Sequence, residues 1–144
     1  MEQLRKTLLK EGISFTSYTK WSTYFRAKWR EHFASHLTEE EQAAILMLPN
    51  TKYGHYLWHL FSYEKRDALE GEASINAFHA KDKGKCIIFD QYSDEVLFIE
   101  NANRIRAEHF PRIDDIYIVD EQFTWSFNVT HETDIGPFFI ENDM

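Results

Sequence analysis

Residues 86–100 read CIIFDQYSDEVLFIE, and this stretch decides the fold class. Two short apolar runs, CIIF and VLFI, flank the polar turn Tyr92-Ser-Asp-Glu95. Apolar runs on either side of a polar turn predict a β-hairpin. Three later segments, at residues 115–120, 123–131 and 137–141, also have the pattern of strands. We therefore predict a small, mainly antiparallel sheet in the C-terminal part of the chain.

The residues before this hairpin predict helices. The predicted helices cover residues 2–11, 20–35, a segment that begins at Thr38-Glu-Glu-Glu41, and residues 69–80 with Leu69 on the apolar face. Thr38 and Glu41 have the spacing of a capping box, which makes this the best-defined helix start in the sequence. Residues 53–61 fit a helix or a buried strand, and we favour helix; a short helix is expected at residues 102–110.

Helices followed by an antiparallel sheet indicate an α+β fold, with the N-terminal helices packed on the sheet. The length of 144 residues fits a single domain over residues 1–144. No stretch approaches the 18 apolar residues of a membrane span. The single cysteine, Cys86, excludes an intrachain disulfide and is expected to be a small buried apolar residue. A cytoplasmic location, away from membranes, is the simplest interpretation.

The charge distribution is uneven. Residues 1–35 carry a net charge of +4 and residues 36–144 carry −12, within a total of −8. Such an acidic body repels phosphate backbones, which makes nucleic-acid binding unlikely. It instead favours a basic protein partner, because complementary charge accelerates association.

Residues 123–132 read FTWSFNVTHE and predict a strand with one apolar and one polar face. The apolar row is Phe123, Trp125, Phe127, Val129 and His131, and the polar row includes Glu132. If the strand continues to its end, His131 and Glu132 point to opposite faces and cannot act as a catalytic dyad. His131 is then expected to be a hydrogen-bonded structural histidine.

Other side chains could form sites, and each has a simpler structural interpretation. His32 and His36, and likewise His55 and His59, have the i,i+4 spacing that places two imidazoles on one helix face. Zinc or iron would need further ligands, such as His131, Glu64 or Glu132.

Two further patterns have a functional and a structural interpretation. The carboxylates Asp114, Asp115, Asp120 and Glu121 could hold a divalent cation, although solvated strand ends are the simpler explanation. Aromatic residues recur every fourth position and could stack on single-stranded nucleic acid or simply face the core. They are Trp21, Phe25, Trp29 and Phe33.

Several segments resemble a known family. They are HLFSYE (59–64), DIYIVDEQFTW (115–125), THE (130–132) and GPFF (136–139). They are similar to a family of small bacterial proteins of the Bacillus type, catalogued as a domain of unknown function. The resemblance implies a single cytoplasmic bacterial domain and assigns no catalytic or binding residue.

The sequence therefore favours a non-enzymatic protein-binding module with an acidic surface, of which a toxin-neutralising immunity protein is one version. The predicted contact residues lie at sheet turns and are Tyr92, Asp94, Glu95, Asp120 and Glu121. No cofactor is expected for this function. The alternative is a metal-dependent hydrolase with zinc or iron bound by His55, His59 and His131. The oligomeric state is not determined by the sequence.

Overall fold

The computed structural model of the chain describes residues 1–46 and 56–142. Within these ranges the chain forms one seven-stranded antiparallel sheet with helices on both faces. The strands are β1 (Thr16–Tyr18), β2 (Leu69–Glu70), β3 (Cys86–Asp90), β4 (Val96–Ile99), β5 (Ile116–Asp120), β6 (Trp125–Val129) and β7 (Phe138–Glu141). The helices are α1 (Glu2–Lys10), α2 (Ser22–Phe33), α3 (Glu39–Leu46), α4 (His59–Ser62) and α5 (Glu72–Ala80). The α+β prediction is confirmed.

The order of strands across the sheet is β1-β4-β3-β5-β6-β7-β2. The predicted hairpin is present, because β3 pairs antiparallel with β4 from Cys86 opposite Ile99 to Phe89 opposite Val96. The two edge strands, β1 and β2, come from the N-terminal half and were not predicted. They have three and two residues, which is too short for a period of two to be recognised.

The helix ends follow the signals in the sequence. Gly12, with φ of +71°, follows α1 in the left-handed conformation that glycine adopts without strain. At α3, the Glu41 amide donates to the Thr38 hydroxyl at 3.1 Å and the Thr38 amide donates to the Glu41 carboxylate at 3.0 Å. The capping box is thereby confirmed. No helix among the described residues is long and apolar enough to span a bilayer.

Two predicted elements need correction, and a third is described only in part. Leu69 lies in β2 and not in a helix, since Gly71 separates this strand from α5. The segment 102–110 forms two 3₁₀ turns, Ala102–Arg104 and Ala107–His109, in place of one helix. Of the ambiguous segment 53–61, residues 53–55 lie outside the described residues, and the remainder contains the start of the single-turn helix α4.

The sheet separates two hydrophobic clusters. On one face, α1 and α5 pack with Leu8 and Phe78 against side chains that include Ile118 and Phe127. On the other face, α2, α3 and α4 pack against side chains that include Tyr117. Because both faces are covered, side chains at successive positions of a central strand are buried alike.

This double cover corrects the prediction of a half-buried β6. Ser126 and Asn128, on its polar side, are fully buried. The indole Nε1 of Trp29 donates to the Ser126 hydroxyl at 2.9 Å, and that hydroxyl donates to the Asn128 side-chain oxygen at 2.6 Å. The polar row of β6 therefore accepts the hydrogen bond of a buried indole N–H from α2. The sequence had suggested that this row faces water.

Candidate functional site

A fully buried carboxylate, Asp115, organises one end of the sheet. It directly precedes β5 and is completely shielded from solvent. Its oxygens accept hydrogen bonds from the Trp58 indole at 2.8 Å and the Tyr92 hydroxyl at 2.5 Å. The His131 backbone amide donates at 3.0 Å, and His131 Nδ1 lies 2.9 Å from both oxygens. These donors replace the water that a carboxylate loses on burial.

His131 connects this buried carboxylate to the surface. Its Nδ1 faces Asp115, and its Nε2 lies 3.1 Å from the Glu132 carboxylate. Partial burial opposes protonation of the ring, but the hydrogen bond and charge of Asp115, together with those of Glu132, outweigh it and raise the pKa of His131. The two carboxylates on either side of the ring therefore favour its protonated form.

The contact between His131 and Glu132 corrects the expectation that these side chains point apart. That expectation assumed that the strand continues, whereas β6 ends at Val129 and the chain then turns. Outside the strand, side chains of successive residues no longer alternate between faces. Asp115 is also corrected, since the sequence suggested a solvated strand end.

Tyr92 and Tyr56 extend the hydrogen-bonded cluster. The Tyr92 hydroxyl, which donates to Asp115, lies 2.9 Å from the Tyr56 hydroxyl. Burial and the adjacent Asp115 carboxylate raise the pKa of Tyr92 far above its ordinary value. Tyr92 therefore stays protonated and keeps its hydrogen bond to Asp115.

Five aromatic rings form a continuous patch over this cluster, which we call the tyrosine surface: Tyr56, His59, Tyr63, Tyr92 and His131. The Tyr56 ring lies 5.3 Å from His59, 6.2 Å from Tyr92 and 5.7 Å from His131, between centroids. The rings of His59 and Tyr63 are 4.9 Å apart. Tyr63 is 56% exposed, and Tyr92 is also exposed.

Buried groups hold the tyrosine surface in place from below. The buried Trp58 ring lies 4.5 Å from His59 and 6.1 Å from His131, between centroids. His59 Nδ1 lies 3.1 Å from the Ile45 carbonyl oxygen. Burial lowers the pKa of His59 and outweighs this hydrogen bond and the charge of Asp115, so this ring favours its neutral form.

The predicted contact residues fall at opposite ends of the sheet. Tyr92, Asp94 and Glu95 lie in the turn between β3 and β4, at the same end as Asp115. The turn after β5 lies at the other end, because β3 and β5 are antiparallel and pair along their full lengths. The structure therefore does not bring the five residues together on one surface.

Besides Tyr92, two of these five residues have structural partners. Glu95 accepts hydrogen bonds from Arg5 at 2.8 Å and from the Ser17 hydroxyl at 2.5 Å. Asp120 closes its own turn, accepting from the Thr124 amide and hydroxyl at 2.6 Å each, and from the Trp125 amide at 3.1 Å. Asp94 and Glu121 are exposed.

The histidine pairs do not form a ligand set among the described residues. α2 ends at Phe33, so His36 lies beyond the helix and the two rings do not share one helix face. The His32 ring stacks on Phe123 with centroids 5.4 Å apart, and His36 Nε2 lies 2.7 Å from the Lys65 carbonyl oxygen. His59 and His131 share the tyrosine surface, and His55 lies outside the described residues. Within residues 1–46 and 56–142, no group of three or more His, Cys, Asp or Glu side chains is placed to hold a metal ion.

The isolated cysteine has the expected environment. Cys86 is buried at the start of β3, and burial raises the pKa of its thiol to about 12. A thiol with so high a pKa carries almost no thiolate at neutral pH and is a poor nucleophile. It packs as a small apolar side chain, as the sequence predicted.

Trp58 and Tyr56 were not among the predicted site residues. Neither is marked by a motif, and each reaches its partner across a separation of 36 residues or more. For Asp115, the one available signal was its position immediately before the buried run IYIV. A carboxylate directly before a buried strand can itself be buried, but the sequence does not reveal which groups donate hydrogen bonds to it.

Comparison with known proteins identifies the family. A family model described as "Domain of unknown function (DUF4275)" matches residues 1–139. No curated protein and no solved structure matches the chain. The match confirms that the segments quoted above belong to a domain of unknown function. The chain is therefore a member of the DUF4275 family.

Proposed function

We propose that this chain is a non-enzymatic protein-binding module whose contact face is the tyrosine surface and whose partner is a basic protein. The observation that carries the proposal is the continuous patch of rings fixed from below by Asp115 and Trp58. A toxin-neutralising immunity protein of the bacterial cytoplasm is one version of this function. The single, buried Cys86 is consistent with that reducing compartment.

The tyrosine surface has the properties of a binding hot spot. Tyrosine offers a large apolar area and a hydroxyl, and it is enriched where binding energy concentrates. Here the exposed rings of Tyr63 and Tyr92 contact neighbouring rings, and Tyr92 is additionally hydrogen-bonded to Asp115. Side chains that are already ordered lose little conformational entropy when a partner binds.

Exposed carboxylates determine the kind of partner. Glu64, Asp94, Glu132 and Asp134 all lie on or next to segments that supply the tyrosine surface, and all are exposed. Residues 36–144, which supply every ring of the tyrosine surface, carry a net charge of −12. A basic partner would be steered to this face, and steering acts mainly on the association rate. Asp120 and Glu121, at the other end, are not part of the proposed face.

The test begins with a partner that co-purifies with the chain from its native host, followed by titration with the purified partner. We expect Tyr63→Ala to weaken binding by at least about tenfold, or 1.4 kcal/mol, because it removes an exposed ring of the patch. The matched control is Tyr24→Ala, at a tyrosine that is 52% exposed but lies on α2.

Charge reversal provides the second arm of this test. Glu132→Lys should slow association, whereas Glu121→Lys, at the far end of the sheet, should leave the rate nearly unchanged. Equal affinities for the two tyrosine variants would contradict the proposed face. A partner that is acidic, or an association rate that is insensitive to Glu132→Lys, would contradict its electrostatic part.

A metal-dependent hydrolase using zinc or iron is the second candidate. It is favoured by one observation: His59 Nδ1 is held by the Ile45 carbonyl oxygen, which leaves Nε2 as its metal-binding nitrogen, whereas His131 Nε2 faces the Glu132 carboxylate, itself a possible ligand. Metal-binding histidines commonly have this arrangement. Native mass spectrometry of gently purified protein tests it. Stoichiometric metal that is lost in His59→Ala and His131→Ala would support this function. Metal-free protein, alone or bound to its protein partner, would contradict it.

A further inference from the structure

A second aromatic surface lies at one edge of the sheet, beside β1. It is a groove of about 480 Å³ between the edge strand and the start of α2, and its apolar lining comes mainly from Tyr18, Trp21, Tyr24 and Phe98. The tyrosine surface contributes no residue to it. The proposed function therefore does not account for this groove.

The groove contains a large exposed indole. Trp21 was predicted to continue the buried row of α2, but it precedes the first residue of the helix and is 50% exposed. Its ring contacts Tyr24 edge-on at 5.7 Å, and the Tyr18 ring contacts Phe98 edge-on at 5.2 Å, between centroids. An ordered aromatic patch of this kind marks an interaction site when it is left open.

β1 adds an open strand edge to this patch. Its three residues are exposed, and it pairs with β4 on one side only among the strands that the structure describes. The outer backbone groups of such a strand are available to pair with another strand. Thr16 and Tyr18 both line the groove, while Ser17 bonds Glu95. A strand added to β1 would therefore direct alternate side chains into the groove.

Opposite charges flank the two ends of β1. Glu100 follows β4 and lies beyond the Thr16 end, because Thr16 pairs with Phe98. Lys20 is exposed and lies two residues beyond Tyr18, at the other end. Glu100 has only a surface contact of 3.8 Å with Lys85, so it stays accessible.

We propose that β1 pairs antiparallel with β1 of a second copy of this chain, forming a two-fold dimer with a continuous sheet. Pairing centred on Ser17 places the Thr16 end of one copy against the Tyr18 end of the other. Lys20 of the second copy then faces Glu100 of the first, and two-fold symmetry forms this contact twice. The surface is self-complementary, which is what a closed dimer requires.

The charge of the region is compatible with self-association. The chain carries −8 in total, which would make two copies repel each other. However, residues 1–35, which supply β1 and all of α2, carry +4. The proposed interface therefore takes β1 and α2 from the positively charged part of the chain, which reduces the repulsion between two copies.

Sedimentation equilibrium of the full chain over a wide concentration range tests the dimer. The wild-type chain should form dimers, and Trp21→Ala should weaken them by at least roughly tenfold, because it removes the largest exposed side chain of the groove. Trp21 is half exposed, so this variant should fold, which circular dichroism checks. Tyr63→Ala is the matched control and should dimerise like the wild type.

A charge swap supplies the decisive arm. Lys20→Glu and Glu100→Lys should each weaken dimerisation by roughly tenfold or more, because each places like charges together twice. The double variant Lys20→Glu/Glu100→Lys should restore most of the wild-type affinity. A wild-type chain that stays monomeric would overturn the proposal. So would a dimer that is insensitive to Trp21→Ala, or single charge variants that the double variant does not rescue.

Discussion

Asp115 and Asp120 stand at the two ends of the same strand, β5, and their surroundings are opposite. Asp115 is fully buried and binds Trp58, Tyr92 and His131, which are between 16 and 57 residues away in the chain. Asp120 is partly exposed, and its hydrogen bonds go to Thr124 and Trp125, four and five residues away. One carboxylate joins distant segments, and the other closes a local turn.

The difference is the reason why we assign the proposed contact face to the Asp115 end of the sheet. A turn is closed at little cost by a carboxylate that keeps contact with water. Burying a carboxylate costs several kcal/mol of desolvation free energy, which is offset only if its hydrogen-bond donors have good geometry. At Asp115 those donors are the groups that fix the tyrosine surface. The buried hydrogen bonds of Asp115 therefore lie directly beneath the exposed rings of the proposed contact face.

The largest expected effect is the loss of stability in Asp115→Ala. The variant leaves the Trp58 indole, the Tyr92 hydroxyl and the His131 amide without their common acceptor. Removing one partner of such a buried charged cluster costs about 3–5 kcal/mol. Denaturant unfolding monitored by tryptophan fluorescence measures the change. A loss below about 1 kcal/mol would show that water replaces Asp115 easily, which contradicts a fully buried network.

Asp120→Ala should have a smaller effect. The variant frees the Thr124 and Trp125 amides at a turn that solvent reaches, so the expected loss is about 1–2 kcal/mol, similar to the loss of a helix cap. The same unfolding experiment compares the two aspartates directly. If both variants lost the same free energy, the contrast between the two ends of β5 would be wrong.

The smallest effect is on the pH dependence of stability. Because the pKa of His131 is raised in the folded state, the folded chain binds this proton more tightly than the unfolded chain does. Its contribution is fully present below the unfolded pKa of about 6.5, and it is lost as the pH rises through the higher folded pKa. The free energy of unfolding of the wild type minus that of His131→Gln should therefore decrease as the pH rises through this window.

His59 provides the control with the opposite sign. Burial lowers its pKa, so its contribution is present above about 6.5 and is lost as the pH falls through the lower folded pKa. The difference between the wild type and His59→Gln should thus decrease on acidification. Parallel pH profiles for the two variants would contradict the environments assigned to these rings.

The same comparison explains how far the sequence could predict this molecule. Features built from neighbours in the chain were predictable: the Thr38–Glu41 capping box and the β3–β4 hairpin both have signals within a few residues. The two edge strands were too short to show a period. The buried Ser126 was misjudged because α2 covers a face that alternation alone assigns to solvent.

The candidate site was less predictable than the fold. Tyr92 and Asp94 were identified from their turn and lie at the proposed contact face, whereas Asp120 and Glu121 were placed with them although they occupy the opposite end. Only strand register reveals that separation. Trp58 was absent from the prediction because its role depends on Asp115, which lies 57 residues away.

The most direct test is an amide NMR footprint of the purified, co-purifying partner on the isotope-labelled chain. We expect the largest shifts or losses of signal in residues 56–64, 92–94 and 131–134, which supply or adjoin the tyrosine surface. Residues 120–124, at the other end of β5, should be unaffected. A footprint centred on residues 120–124, with the tyrosine surface unchanged, would contradict the central claim.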